Sequence, residues 1–468
     1  METSLQLVAP RIAPPLDEAF RPAVLANRAF QRAVWESGAG EPLTLGLERP
    51  DGSISRFETT VFSEDHPRSN ENLRVAERLL KFLLWQRGGW RVYVGGPERV
   101  GNYIRACYSP EGARAFDHRL MGREIYDRSL TVVVCDSGEV PAAQEKGKPL
   151  GRHLDGYRIG FDLGASDRKV SGVVDGEPVY SEEVVWEPSD QSDPAYHYRE
   201  IMTALKTAAA KMGRVDAVGG SAAGVYVDNQ VRVASLFRGV PRERYDEVRT
   251  LFLRIRDEMG VPLEVANDGD VTALAGAMSL GEGGVLGIAM GSSEAGGYVN
   301  LEGNITGWLN ELAFAPIDYS PAAPADEWSG DRGCGALYLS QQCVFRLAPA
   351  AGIRVPDGVT KAEKLKAVQA RLEAGHEGAV RIWQAIGTYL GYAVAHYADF
   401  YELNHVLILG RCTSGRGGSL IVSRAREVLD VEFPSLAART TIHLPDEENR
   451  RIGQAIAAAS LPIIEEGV

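Results

Sequence analysis

An apolar strand runs from Tyr157 into Asp162, Gly164 and Ser166, within YRIGFDLGASDRKVSGVVD (157–175), and a second apolar run leads out. A hairpin tip holding an acid, a glycine and a hydroxyl can offer backbone N–H groups to a phosphate and a carboxylate to a hydrated magnesium ion. The same residue types also make ordinary β-turns, so the stretch carries weight only in company. Company is found at 285–300, VLGIAMGSSEAGGYVN, a second strand-turn-strand with glycine and hydroxyls at Gly291, Ser292 and Ser293. Between the two, Asn267-Asp268 follows the apolar run 261–266 and precedes a helical pattern. A carboxylate at such a junction can accept a proton from an attacking hydroxyl; equally, Asp268 or Asp270 can cap the helix.

These residues need strands and helices to place them. Strand-like runs at 157–163, 169–174, 215–219, 263–265, 285–290 and 406–409 alternate with helical segments at 197–212, 241–259, 270–279 and 378–400, which argues for an α/β architecture. Two similar halves, each offering a phosphate hairpin, would enclose a nucleotide cleft. The first 150 residues read as a separate small α/β or α+β domain of unknown role. Its first fifteen residues are proline-rich and extended, with helices at 73–86 and 97–106 and strands at 90–94 and 131–135. The polar stretch 137–156 has the composition of a linker. The expected division is therefore 1–150, a first lobe 151–285 and a second lobe 286–468.

Size and charge narrow the classes. A chain of 468 residues exceeds a single core, which stops growing near about 250–300 residues. A net charge of −13 disfavours a nucleic-acid partner, because phosphate-backbone affinity comes from clustered Lys and Arg. Apolar stretches fall short of a membrane span, and the N-terminus lacks a charged segment followed by an apolar core. No membrane partner and a cytoplasmic location are expected. Five cysteines without a CxxC pair indicate reduced thiols, not a disulfide framework or a zinc ribbon. Walker-type GxxxxGK[ST], post-strand GxGxxG and HExxH motifs are absent from the sequence.

Taken in order, FDLGAS (161–166), GGSAAGVYVD (219–228), ANDGDVTALAG (266–276), GIAMGSSEAGG (287–297), WLNELAF (308–314), GDRGCG (330–335) and VLILGRCTSG (406–415) resemble the ROK family of sugar kinases and related repressors. The resemblance covers roughly 157–468 and implies the duplicated actin-like ATPase (ribonuclease H-like) sugar-kinase fold in two lobes. It implies ATP and Mg2+ as cofactors, with Asp162, Gly164 and Ser166 at the first phosphate hairpin and Asp162 reaching the metal through water. Gly291, Ser292 and Ser293 match the second hairpin, where the family has Gly-Thr-Gly and further glycine; Ser293, Glu294 and Ala295 add side chains there. Gly410, Ser414 and Gly415 match the turn that packs on adenosine. Asp268 matches the general base, Asn267 a residue that fixes the sugar ring, and Glu311 an acid that reaches sugar hydroxyls. Ser235 stands where the family has a sugar-contacting Asn.

The zinc pattern of the family departs most. Its GEIGH and CxCGxxGCLE segments become 309–314 and 327–336 here, so Phe314, Glu327 and Ser329 occupy three ligand positions and Cys334 alone survives. One thiol cannot make the four-coordinate N/S site of structural zinc, so no zinc is expected. A pocket His is replaced by Phe314 and a second pocket Glu by Ala336. Each sugar hydroxyl left unpaired by such a change costs about 1–3 kcal/mol, so simple glucose and N-acetylmannosamine are not the expected substrates. The function implied is ATP-dependent phosphorylation of a sugar or sugar-like polyol hydroxyl. The alternatives are a non-catalytic sugar or nucleotide sensor and a transcriptional regulator, the latter disfavoured because 1–150 lacks a basic three-helix pattern. The partner expected is a small-molecule sugar, with homodimer formation left open.

Overall fold

Alternating apolar residues in the first 150 positions pair into a four-stranded sheet of order β2-β1-β3-β4. β1 (Gly40–Glu48) runs antiparallel to β2 (Ile54–Phe62) and to β3 (Arg91–Gly95), and β3 is parallel to β4 (Thr131–Cys135). The computed structural model describes residues 5–145, 150–164, 167–445 and 447–464. The β1–β2 hairpin, the helix Ala23–Ser37 and the helical stretch from Ala115 to Ile125 have no counterpart in the sequence reading; the expected helices at 73–86 and 97–106 and strands at 90–94 and 131–135 lie within a few residues of Ser69–Arg87, Glu98–Cys107, β3 and β4. The helix Ser69–Arg87 is buried on every side from Val75 to Gln86, including Glu77, Arg78 and Lys81. A helix with no wet face must pair its charges internally.

The described chain divides into two units. Unit 1 takes in 1–146, 288–296 and 307–444; unit 2 takes in 147–287, 297–306 and 445–468. This differs from three sequential segments, because the first 146 residues fold together with 307–444 and the C-terminal helix Glu447–Ala459 belongs to unit 2. The stretch read as a linker is also partly tied down: Gln144 bridges Ile54, and Ser55 Oγ donates to Glu145 at 2.5 Å.

Unit 2 is built on a five-stranded sheet of order β11-β8-β5-β6-β7. β5 (Tyr157–Leu163), β6 (Asp167–Val174) and β7 (Glu177–Val185) form an antiparallel meander. β8 (Ala217–Ala222) pairs parallel to β5. A short ribbon, β9 (Val225–Val227) with β10 (Gln230–Val233), precedes β11 (Leu263–Asn267), which is parallel to β8. The helical run expected at 241–259 is broken into a turn of 3-10 helix and the helices Tyr245–Arg249 and Leu251–Met259. Two glycines explain how Glu447–Ala459 lies on this sheet. A Cβ on Gly219 would sit 1.7 Å from the Ala458 carbonyl oxygen, and one on Gly160 2.2 Å from that of Ala455.

A second sheet, order β13-β12-β14-β15, holds β12 (Val285–Met290), β13 (Glu294–Val299), β14 (His405–Leu409) and β15 (Thr441–His443). In unit 1 the helices Glu377–Tyr397 and Arg416–Glu432 pack closely, Gly387 and Gly391 giving room to the backbone and side chains of 421–428.

Candidate active site

Parallel strands bring their carboxyl ends to one edge of a sheet, where open α/β folds bind ligands. In unit 2 the register sets Asp162 of β5 beside Ser221 of β8, and Ala222 beside Asn267 of β11. Ser221 Oγ donates to Asp162 Oδ1 at 2.6 Å, and Gln454 Nε2 reaches the same oxygen at 3.3 Å. Lys169 Nζ lies 3.6 Å from Asp162 Oδ2 and 2.9 Å from Asp167. Burial pushes the Asp162 carboxyl above the usual range, against the opposing pull of Ser221 and Lys169.

Asp268 begins the helix Asp268–Leu280 directly after β11. Asn267 is the cap: its Oδ1 accepts from Gly269 N–H at 2.8 Å, and its Nδ2 donates to the Gly224 carbonyl at 2.7 Å. Asp270, the other candidate cap, accepts instead from Tyr298 N–H at 3.0 Å. Asp268 Oδ1 accepts from the same Gly269 N–H at 3.0 Å. Its carboxyl is pushed up to about 6, first by burial and then by the neighbouring charge of Asp162. A carboxylate so tuned can take a proton near neutral pH. Each polar end of the Asn267 amide holds one backbone partner, Gly224 or Gly269, and has the capacity for one bond more.

The first hairpin closes through Gly164 N–H donating to Asp167 O at 3.0 Å, with Trp186 Nε1 donating to Gly164 O at 2.9 Å. Ser166 lies outside the described residues. Ser235 is exposed, on the 3-10 turn Ser235–Phe237.

In unit 1 the second hairpin turns through Gly291, whose N–H donates to Ser293 O at 3.0 Å. Gln341 N–H donates to Gly291 O at 3.0 Å and Gln342 Nε2 to Ser292 O at 3.2 Å, so the helix Gln341–Leu347 holds the loop by its backbone while Ser292 stays exposed. Gly410, at φ 99°, comes so near β12 that a Cβ would lie 2.7 Å from the Met290 carbonyl oxygen. Ser414 and Gly415 are exposed at the start of Arg416–Glu432, where Arg416 N–H donates to Glu373 at 2.9 Å.

The sequence reading passed over three participants. Ser221 and Gln454 orient Asp162, and only strand register and the C-terminal helix bring them there. The third is Glu294, buried at the start of β13, with Oε1 accepting from Tyr397 OH at 3.0 Å and Oε2 without a partner. Burial, and then the charge of half-buried Glu311, push its carboxyl up to about 8.

No protein-family model matches the chain, and no curated protein matches it significantly. Solved structures do. A ROK hexokinase from Thermus thermophilus superposes at TM-score 0.51 with 18% identity, over 64% of this chain and 97% of the hexokinase. A ROK family transcriptional regulator, a homologue of the E. coli MLC protein, superposes at TM-score 0.51 with 20% identity, over 69% and 82%. The fold is that of the ROK proteins. One neighbour is a kinase and the other a regulator, so the ROK fold by itself does not separate catalysis from sensing.

Proposed function

We propose that the protein catalyses ATP-dependent phosphorylation of a sugar or sugar-like polyol hydroxyl, with Asp268 as general base. The observation that carries this reading is the Asp268 carboxyl at the junction of β11 and the helix Asp268–Leu280, pushed up to about 6 by burial and Asp162. In that state it accepts the proton of the attacking hydroxyl, and Asn267 fixes its direction by anchoring the helix terminus. The Asp162 carboxylate, with the charge of Asp268 beside it, is the kind of oxygen ligand that would hold a hydrated magnesium ion. Bound magnesium would neutralise charge on the transferred phosphate. Gly164 in the first hairpin and Gly291 to Ser293 in the second supply backbone and hydroxyl donors to phosphate, with Gly410, Ser414 and Gly415 serving adenosine. Glu311 serves sugar hydroxyls, and Ser235 is a further substrate contact. The cytoplasm, which supplies ATP, is the setting this reading implies.

A sensor is the second reading, favoured by Phe314, whose ring packs on Trp85 with centroids 4.3 Å apart where a polar group would meet a sugar. Release of ADP with a panel of hexoses, N-acetyl sugars and cyclitols separates the two. Turnover with at least one member supports the kinase; saturable sugar binding without ADP release overturns it in favour of the sensor.

A further inference from the structure

Residues 309–335 carry Glu311 and, in unit 1, are held at four places by residues of the first 117. At Glu311 itself the contact is through the backbone: its N–H donates to the Trp85 carbonyl at 2.9 Å, and Asn310 N–H donates to that of Gln86 at 2.9 Å. These carbonyls lie in the last turn of Ser69–Arg87, where the helix leaves acceptors free. Asn310 is in the left-handed region, at φ 52°, so the chain takes a sharp, defined path at that point.

The second hold is aromatic, Phe314 packing on Trp85 and, with centroids 5.5 Å apart, on Phe116. Third, 317–319 pair with 21–23: Ala23 N–H donates to Ile317 O, Tyr319 N–H to Arg21 O and Arg21 N–H to Asp318 Oδ1, each at 2.9 Å. The fourth is ionic. Asp331 meets Arg114 at 2.7 Å, Arg78 at 2.9 Å and Lys81 at 3.3 Å, and Lys81 also meets Asp117 at 2.9 Å. Glu77 bonds both arginines, which balances the three buried cations with three anions, and the partly exposed Arg74 reaches Glu77 at 3.2 Å from the rim. Arg78 and Lys81 are fully buried, so their only compensation is within this cluster. Burial disfavours the charge on Asp331, yet Arg78 and Lys81 outweigh it and hold the carboxyl below the usual range. Cys334, three residues on, is buried and its thiol points to the Asp331 carbonyl at 3.9 Å.

We infer that the N-terminal segment is a built-in brace that positions the substrate-facing stretch 309–335, and that Trp85, Lys81 and Arg78 are positioning residues for Glu311. The link to substrate rests on the kinase reading; the brace does not. Four independent holds, two of them to buried charge or ring surfaces, fix the stretch.

The test is peptide-resolved hydrogen exchange of the full chain as wild type, Phe314→Ala and Asp331→Asn, with the wild type also treated with 1,10-phenanthroline. Exchange across 309–335 is expected to rise tenfold or more in both variants, to stay unchanged in unit-2 peptides covering 217–222 and 263–280, and to be unaffected by the chelator. If Asp331→Asn does not fold, Phe314→Ala decides. Unchanged exchange in 309–335, a rise spread evenly over both units, or a rise produced by chelator alone overturns the brace. In parallel, with a sugar that the wild type phosphorylates, Phe314→Ala is expected to change KM severalfold more than kcat. If no sugar is phosphorylated, the kinase reading fails and the exchange result still decides the brace.

Discussion

Glu294 makes the most quantitative prediction, because a buried carboxyl with one unpartnered oxygen couples folding to pH. In the folded protein its carboxyl titrates at about 8, against 4.5 for the free side chain. A group whose pKa is raised on folding contributes stability that is fully present below the unfolded value and is lost as pH rises through the folded one. The window is therefore about pH 4.5 to 8, and at about 1.4 kcal/mol per pH unit the loss is on the order of 3–5 kcal/mol. Glu294→Gln keeps the acceptor for Tyr397 and removes the titration. Urea unfolding of both proteins at pH 5, 6, 7 and 8 isolates this residue, since other groups titrate in both. The variant should match the wild type near pH 5 and exceed it progressively, by several kcal/mol at pH 8. A difference independent of pH, or a wild type that gains on the variant as pH rises, would refute the reasoning.

Gly219→Ala places a methyl 1.7 Å from the Ala458 backbone oxygen and should lower the melting temperature by a shift equivalent to about 3 kcal/mol, measured by calorimetry; an unchanged midpoint would mean the C-terminal helix does not lie on β8 as described. Tag-free protein should contain no stoichiometric zinc by elemental analysis, since Phe314, Glu327 and Ser329 offer no set of zinc ligands with Cys334; one zinc per chain would sink that expectation. Limited proteolysis should cut first within 137–156, which contains the boundary between unit 1 and unit 2, and digestion that begins instead within 69–87 would contradict the buried helix.

The sequence revealed those features that depend on local pattern. The β5 turn, the β11-to-helix junction and the 285–300 hairpin all lie where apolar runs and glycine-rich turns place them, since strand length and turn chemistry are local properties. Asn267 rather than Asp268 proved to be the cap, a choice that local propensity leaves open because both residue types cap well. What escaped the sequence depends on long-range packing. Gln454 reaches Asp162 only because Gly160 and Gly219 admit the last helix, some 290 residues along the chain from that carboxylate. Glu77, Arg78 and Lys81 are residue types that ordinarily face water, yet they are buried, because Asp331 and Asp117 supply the missing charges. The same contacts place 1–146 with 307–444, a grouping that composition along the chain could not reveal.

The central claim is that Asp268 takes the proton from the substrate hydroxyl, and the pH dependence of kcat/KM in wild type and Asp268→Asn tests it most directly. Asn preserves size and the bond from Gly269 while removing the base. With the sugar that gives turnover, the wild-type rate should rise through about pH 6, as the carboxyl ionises, and then level. Asp268→Asn should be slower by roughly 100-fold or more at pH 7, with that rise lost and thermal stability little changed. Near-normal turnover by a folded Asp268→Asn protein, or the same rise through pH 6 in both proteins, would contradict the account.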